Sequence, residues 1–438
     1  MILEQLIAGF GAALDPVNML FMAVGVALGI VVGILPGLGS VTALSILIPI
    51  TYYMSPLVAI AFLVGVNKGG TSGGAIPSIL LNAPGTPEAA ATALDGYPMA
   101  RAGKPVKAMK AALYASVFGD TLSDAILILV AAPFAAFALN FGPAEFTAII
   151  LFSFTLITGL SGRSQIKGAI AAAFGVFLST IGLDPVESTP RMTFGFVELF
   201  DGISLNALAI GTLALSSVIE QIFQMRRAGI AAHTALSPVV DPLLNRLYAR
   251  EFWGHWRTLV RSALIGSGVG MLPGLGVSLA AFLGYGAARR ASRTPERFGT
   301  GTLEGVMATE AANSAVVGAN LVPTIALGIP GNIAAALLIG AFMIHGIVPG
   351  PFMMEMHGDL VYALFASMLI ANALHRLRHV AADAEIAVRL RLPEGERVLL
   401  MHALGFGYHD APISFQRIVI PGLYGKGAVN ACGVRYEY

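Results

Sequence analysis

The chain has 438 residues, 56% of them hydrophobic and 12% charged, with a formal net charge of +1. Soluble domains carry about 25% charged residues, so the composition excludes a soluble globular chain and defines a polytopic membrane protein. The charge balance gives no sign of a nucleic-acid partner, and the single cysteine, Cys432, excludes an internal disulfide framework and a cysteine-rich metal site.

The opening Met1-Ile2-Leu3-Glu4-Gln5 lacks the basic run of a cleavable signal peptide, so the first apolar segment is expected to stay in the mature protein. That apolar run, through Val31-Val32-Gly33-Ile34-Leu35, meets Pro36-Gly37-Leu38-Gly39. The same tetrapeptide, Pro273-Gly274-Leu275-Gly276, follows Val269-Gly270-Met271-Leu272. Proline and glycine break helices. Inside a bilayer a break is tolerated only where the freed backbone is buried in protein or lines a cavity.

A second repeated stretch follows each tetrapeptide. Asn67 to Gly85 aligns with Asn313 to Gly331 at a constant offset, with Asn67 on Asn313, Pro77 on Pro323, Ser78 on Thr324 and Pro84-Gly85 on Pro330-Gly331. The tetrapeptides have a shorter offset, and the difference falls around Ala288 to Gly301, where the second copy carries a polar insertion. Two ordered matches indicate duplication.

Basic residues stay cytoplasmic. The uncharged Thr51 to Pro56 follows the first tetrapeptide; Arg289, Arg290, Arg293 and Arg297 follow the second. Arg101, Lys104, Lys107 and Lys110 follow the first copy's later segment, whereas Ile344 to Gly358 has no Lys or Arg. The halves are therefore expected to be related by inversion through the membrane plane. Between them, Ala111 to Pro133, Phe146 to Leu160, Gly168 to Leu183 and Ile203 to Ile222 alternate across the bilayer. An acidic outer loop carries Asp184, Glu187, Glu198 and Asp201.

Ser262 to Ala288 begins and ends beside cytoplasmic arginines and is too short for two crossings, which need about 40 residues. It reads as a re-entrant hairpin tipped by Pro273–Gly276, and inversion makes the first tetrapeptide the tip of a hairpin entering from outside. Val239 to Trp256 reads as an amphipathic interfacial helix. From about Leu374 the pattern fails: Leu360 to Ala373 starts like a membrane helix and stops short, and Arg376, Arg378, Arg389, Arg391 and Arg397 follow. A shifted reading frame is preferred to a genuine tail, because a helix should not end mid-membrane. The expected organisation is a first repeat over 1–110, connecting membrane helices over 111–238, an interfacial helix and second repeat over 239–373, and an atypical charged tail over 374–438.

The chemistry is expected at the breaks. Glycines let backbone approach a ligand, and helix N-termini beyond a break present N–H donors to carboxylates. Candidate substrate-binding positions are Gly37, Gly39, Asn67, Lys68, Gly70, Thr71, Ser72, Asn82, Gly85 and Thr86. Their second-half counterparts are Gly274, Gly276, Asn313, Thr324, Gly331 and Asn332. The competing reading is helix packing by small residues. Lys68 is a counter-ion for an anionic substrate or a lysine that snorkels to the interface. Asp120 and Asp124, one turn apart, are ion-coupling candidates with Asn67 and Asn313, or else pair with a neighbouring helix. Glu310, near Asn313, is a pocket residue or a cap. No cofactor or metal site is expected beyond a bound Na⁺ held by freed carbonyls. Zinc-protease, nucleophile-elbow and phosphate-loop motifs are absent.

The paired Pro-Gly-Leu-Gly, Gly73-Gly74-Ala75-Ile76-Pro77 leading to Leu80-Leu81-Asn82-Ala83-Pro84-Gly85-Thr86-Pro87, Thr92-Ala93-Leu94-Asp95-Gly96-Tyr97-Pro98 and Leu327-Gly328-Ile329-Pro330-Gly331 give a further lead. Over roughly residues 15–373 the chain resembles the large membrane subunit of the tripartite tricarboxylate transporter family. It departs at Ser72-Gly73-Gly74-Ala75, where members commonly carry Tyr-Gly-Gly-Ser, and in the charged tail. The resemblance implies ion-driven secondary transport of citrate or another carboxylate in a bacterial inner membrane. It also implies a small membrane subunit and a periplasmic solute-binding protein as partners. The expected fold is an all-α polytopic membrane protein: two inverted-topology repeats with re-entrant hairpins and broken helices, like an elevator carrier. The alternatives are a membrane channel, which needs a continuous polar stripe, and an intramembrane enzyme, which needs a paired acid, base or nucleophile at one depth.

Overall fold

Asp15 begins the first long helix, its carboxylate accepting from the backbone N–H groups of Val17 (2.9 Å) and Asn18 (3.3 Å), with Pro16 in the first helical position. In this computed structural model, which describes residues 2–35, 39–159, 165–184, 189–203, 219, 244–272, 276–389, 399–403 and 416–420, almost everything is helical.

The first half comprises α1 (Ile2–Ala13), α2 (Pro16–Ile34), α3 (Gly39–Thr51), α4 (Pro56–Gly73), α5 (Ala75–Leu81), α6 (Ala89–Arg101) and α7 (Pro105–Ala138). α8 (Pro143–Gly159) and α9 (Gln165–Ser179) follow. The second half comprises α10 (Ala249–Gly254), α11 (Trp256–Gly270), α12 (Val277–Ala291), α13 (Leu303–Ala319), α14 (Leu321–Leu327), α15 (Ile333–Ile344), α16 (Met353–Met356) and α17 (Gly358–Arg389). Two small antiparallel pairs complete the described residues: Gly182–Leu183 with Pro190–Arg191, and Leu399–Ala403 with Gln416–Ile420. Among the described residues, Pro16–Ile34 and Pro105–Ala138 are long and apolar enough to cross a membrane.

The two halves repeat the same local structure. α4 breaks into α5 at Gly74 and α13 breaks into α14 at Asn320, each break residue keeping right-handed helical angles. Ser78 Oγ donates to the Gly74 carbonyl (3.0 Å), and Thr324 Oγ1 donates to the Asn320 carbonyl (2.7 Å). Each short helix then ends on a left-handed residue, Asn82 (φ 53°) or Gly328 (φ 70°). The N–H of the next residue returns to the carbonyl of Pro77 or Pro323, at 3.3 Å in both.

Glycine lets the helix pair of each half approach its broken helix backbone to backbone. A β-carbon on Gly29 of α2 would fall 2.2 Å from the Val66 carbonyl oxygen of α4. One on Gly266 of α11 would fall 2.1 Å from the Ala312 carbonyl oxygen of α13. Packing of this kind joins helices where no water supplies a hydrophobic drive. The long helices then exchange: α7 packs on α13 and α11, while α17 packs on α4 and α2.

Direction can be read from residue pairs. Gly85 donates to Gly74 and Gly96 lies against Ile79, so α6 runs with α5. Thr92 meets Thr309 (3.2 Å), Asp95 lies against Gly305 and Met99 against Gly301, so α6 runs against α13.

Several expectations are corrected. The helix expected over Ala111–Pro133 spans Pro105–Ala138, running through Pro133; membrane helices tolerate an internal proline. Val239 to Trp256 is not one interfacial helix. Within its described part the helix is Ala249–Gly254, and Trp256 starts α11. Asn245, ahead of Ala249–Gly254, caps another element. Its Oδ1 accepts from Val106 N (3.0 Å) and Lys107 N (3.3 Å), and its Nδ2 donates to Gly103 O (2.8 Å), at the start of α7. The helix over Leu360–Ala373 continues to Arg389, although its apolar part ends at Leu374, as expected. Most of Ile203–Ile222, Glu187 and the tips Pro36–Leu38 and Pro273–Leu275 lie outside the described residues.

Candidate functional site

Helix α4 is buried on every side through its last four turns, which is why it accepts Gly65, Gly69, Gly70 and Gly73 together with Asn67, Lys68, Thr71 and Ser72. Lys68 is 1% exposed, so it reaches no surface. Its ammonium donates to Asp124 Oδ2 at 2.7 Å and to Asn372 Oδ1 at 2.8 Å, and lies 3.5 Å from Asp120 Oδ1. Asn372 Nδ2 donates back to Asp124 Oδ2 at 2.8 Å and lies 3.4 Å from Thr121 Oγ1. The aspartates are 2% and 1% exposed. α4, α7 and α17 thus meet at one ionic cluster, and the Lys68 charge is taken up by protein carboxylates rather than left open to a substrate.

One turn before Asp120 on α7, Ser116 Oγ donates to Glu310 Oε2 at 2.8 Å; Thr92 Oγ1 donates to Glu310 Oε1. Glu310 is 0% exposed and lies on α13 one turn before Asn313. Both amide atoms of Asn313 are buried without a hydrogen-bond partner, as are those of Asn320 at the break and the hydroxyls of Ser267 and Ser314. Orphaned groups of this kind are rare in native interiors. Asn313, Ser314 and Asn320 lie along the second half's broken helix and Ser267 on α11 beside it; Thr86 Oγ1, Ser123 Oγ and Asp124 Oδ1 are orphaned elsewhere.

At the first half's break, Gly74, Gly85, Thr86, Gly39, Ser40 and Gly70 come together. A β-carbon on Gly85 would lie 2.1 Å from Gly33 O, one on Gly70 would lie 2.7 Å from Ser40 Cβ, and one on Gly39 would lie 3.9 Å from Thr86 Cγ2. Ser72 Oγ donates to the Lys68 and Gly69 carbonyls (3.1 and 3.2 Å). A cavity of about 20 Å³ beside Ser72 has room for about one water. At the second break, Gly331 sits against Asn320 and Gly270 O.

Of the expected site residues, Asn67, Lys68, Gly70, Thr71, Ser72, Gly85, Thr86, Asn313, Thr324 and Gly331 are buried around the two breaks, and α4 and α13 pack against each other. Asn82 is exposed, and its left-handed backbone ends α5. The Asn332 side chain is used within its own helix, capping Ala335 N at 2.9 Å. Gly276 precedes α12 with φ 74°, and Gly37 and Gly274 lie outside the described residues. Asn372 was missed because it stands at the edge of the charged tail. Asn320 occupies the place of Gly74 in the repeat, and that position was the available signal.

Asp95 was also unassigned. Its Oδ1 accepts from the N–H groups of Gly299 (2.9 Å), Gly301 (2.8 Å) and Thr302 (2.9 Å), tying α6 to the loop that starts α13. At the start of α7, Lys107 Nζ donates to Glu251 at 2.7 Å. Burial pushes the Glu251 carboxyl up, but the Lys107 and Tyr248 hydrogen bonds and the Lys107 charge outweigh it and hold the group below its ordinary value. Asp184 pairs with Arg191. Among the described residues no grouping of His, Cys, Asp and Glu has the form of a metal site.

A duplicated unit of helix pair and broken helix, with polar groups buried at the breaks in an otherwise apolar chain, defines an all-α protein of the membrane-transporter class. The tripartite tricarboxylate transporter TctA family model matches residues 19–396, and the chain belongs to that family. The family match extends past Leu374, where the sequence pattern was expected to fail.

Two relatives come from Agrobacterium vitis. An uncharacterized 52.8 kDa protein in the TAR-I ttuC' 3' region is 33% identical over 428 residues, covering 97% of this chain and 84% of that protein. An uncharacterized protein in the TAR-II ttuC' 3' region is 32% identical over 164 residues, covering 36% of this chain and 68% of that protein. No solved structure matches.

Proposed function

We propose that the chain is the large membrane subunit of a secondary active transporter that imports a tricarboxylate or related organic carboxylate. A Na⁺ or H⁺ gradient drives it, and substrate arrives from a periplasmic binding protein. A small membrane subunit completes the assembly in the bacterial inner membrane. The observation that carries this reading is the pair of equivalent broken helices, α4–α5 and α13–α14, lying side by side with buried polar groups at their breaks. Discontinuous helices in repeated halves form the midplane sites of carriers, where N–H groups take carboxylates and freed carbonyls take cations.

The direction of α6 supports an inverted relation. It runs with α5, which continues α4 through the helical Gly74, and it runs against α13, so α4 and α13 oppose each other. The pair α11–α12 fits a re-entrant hairpin: 15 residues each, they reach about 22 Å at 1.5 Å per residue, short of a 30 Å hydrocarbon core. In the first half α3 is also short at 13 residues, whereas α2 with 19 is long enough to cross. Movement of the hairpins and broken helices against the rest would carry the site across, as in an elevator. Asn67, Asn313, Asp120 and Asp124 are the ion-coupling residues of this reading. The substrate contacts come from the backbone around Gly37–Gly39, Gly70–Ser72, Gly85–Thr86, Gly274–Gly276 and Gly331.

The test is uptake of labelled citrate, tartrate and succinate into cells with and without the gene, in the presence of both partner subunits. Gene-dependent accumulation of a carboxylate against its gradient is expected. Equal uptake of every carboxylate by both strains would overturn the reading.

A further inference from the structure

The interior of this chain holds more carboxylates than cations. Along one face of α7, Ser116, Asp120 and Asp124 recur at one-turn spacing and rise about 12 Å. Facing them are Lys68 from α4, Glu310 from α13, Thr92 from α6 and Asn372 from α17. The short helices α5 and α14, also against α7, carry no titratable residue. Glu88, 8% exposed at the start of α6, is a further buried acid on an element that faces the stripe. α11, also against α7, carries Arg257 and Arg261, which line an open groove with Trp256 and Leu264. Lys68 is the cation within hydrogen-bond reach of the stripe's carboxylates among the described residues, set against Asp120, Asp124 and Glu310.

The hydrogen bonds show how that single charge is allocated. Asp124 Oδ2 receives both the Lys68 ammonium at 2.7 Å and the Asn372 amide at 2.8 Å. Asp120 is 3.5 Å from the same ammonium, at the limit of a hydrogen bond. Glu310 is hydrogen-bonded to two hydroxyls, and among the described residues no cation pairs with it. A buried carboxylate is held by a cation or by a proton, since an uncompensated charge in an apolar interior is far too costly. A metal cation beside Asp120 would have to share the site with the Lys68 ammonium, whereas a proton adds to the carboxyl with no such conflict.

We infer that Glu310 and Asp120 carry exchangeable protons, and that this stripe between the two halves of the chain is a proton-binding site that couples transport to the proton gradient. Lys68 and Asp124 are its fixed ion pair. The inference deepens the carrier reading above and rests on it for the coupling role. The protonation itself stands independently. Ser116 and Thr92 are placed to relay, because a hydroxyl accepts one proton as it donates another.

The experiment uses the full chain in lipid vesicles at neutral pH. Infrared spectroscopy should show C=O stretches of protonated carboxyls that shift on exchange into heavy water. Glu310→Gln should remove one component and Asp120→Asn another, and Asp124→Asn should remove neither. Absence of such bands in the unmodified chain, or bands that survive both substitutions, would overturn the assignment.

With the two proposed partner subunits added, an inward proton gradient should drive citrate uptake without sodium. Glu310→Gln should abolish that uptake. If sodium alone drives uptake, the proton coupling is refuted and the carrier reading stands. If citrate moves under neither gradient while the bands are present, the carrier reading for citrate fails and the protonated pair stands.

Discussion

Removing the Asp124 carboxylate takes from the Lys68 ammonium its closest charged partner and leaves it Asn372 Oδ1 at 2.8 Å and the more distant Asp120 Oδ1 at 3.5 Å. Breaking a buried pair from one side costs about 3–5 kcal/mol, so Asp124→Ala should lower the unfolding midpoint of the purified chain sharply. The double variant Lys68→Met/Asp124→Leu should recover much of the loss, because it leaves no charge unpaired. A double variant as unstable as the single one would show that the pair does more than neutralise itself. Asp95 presents a different case: its carboxylate satisfies three N–H groups at the start of α13. Asp95→Ala leaves those donors unsatisfied and should cost about 3 kcal/mol, measured as reduced thermal stability in detergent. Asp95→Asn, which keeps an acceptor oxygen, should cost less.

At the scale of elements, the close approach of α2 to α4 and of α11 to α13 depends on positions where any side chain would meet backbone. Gly29→Val and Gly266→Val should each cost on the order of 3 kcal/mol by overpacking and reduce folded yield. Gly11 of α1 has nothing within 4 Å of where a β-carbon would stand. Gly11→Ala should therefore be neutral or stabilising by up to about 1 kcal/mol, and the contrast in scanning fluorimetry checks that packing, rather than helix propensity, sets these glycines. The broken helices make the complementary point. Each short helix ends on a left-handed residue, Asn82 or Gly328, and asparagine and glycine are the residues that adopt this conformation at little cost.

For the whole molecule, the proposed inversion of the halves makes a topological prediction. Single cysteines at Ser55 and Ser292, in a Cys432→Ser background, should react with a membrane-impermeant thiol reagent from opposite sides of the membrane. Labelling of both from one side would refute inversion while leaving the duplicated local structure intact. The exchange of long helices, α7 onto the second half and α17 onto the first, also places the Lys68 cluster where three helices from both halves meet. Movement of one half against the other would have to pass through it.

The sequence by itself determined the all-helical class, the duplication and the positions of the breaks, because each rests on local chemistry. Clustered proline and glycine disfavour helix locally, although a single proline such as Pro133 is carried within α7, and Pro77 with Ser78 and Pro323 with Thr324 build the same turn from neighbouring residues. It also marked Lys68, Asp120, Asp124 and Glu310 as unusual, since charge is rare in an apolar chain. It did not determine their partners. Lys68 and Asn372 are far apart in the chain, and only the packing of α4, α7 and α17 brings ammonium, carboxylates and amide within hydrogen-bond reach. The end of α17 and the shape of residues 244–256 were likewise misread from composition. One is a helix that persists past its apolar stretch, and the other is a segment whose Asn245 caps the start of α7 and whose helix begins only at Ala249. In each case the deciding contact is long-range, and a linear pattern carries no information about which distant backbone group will need a partner.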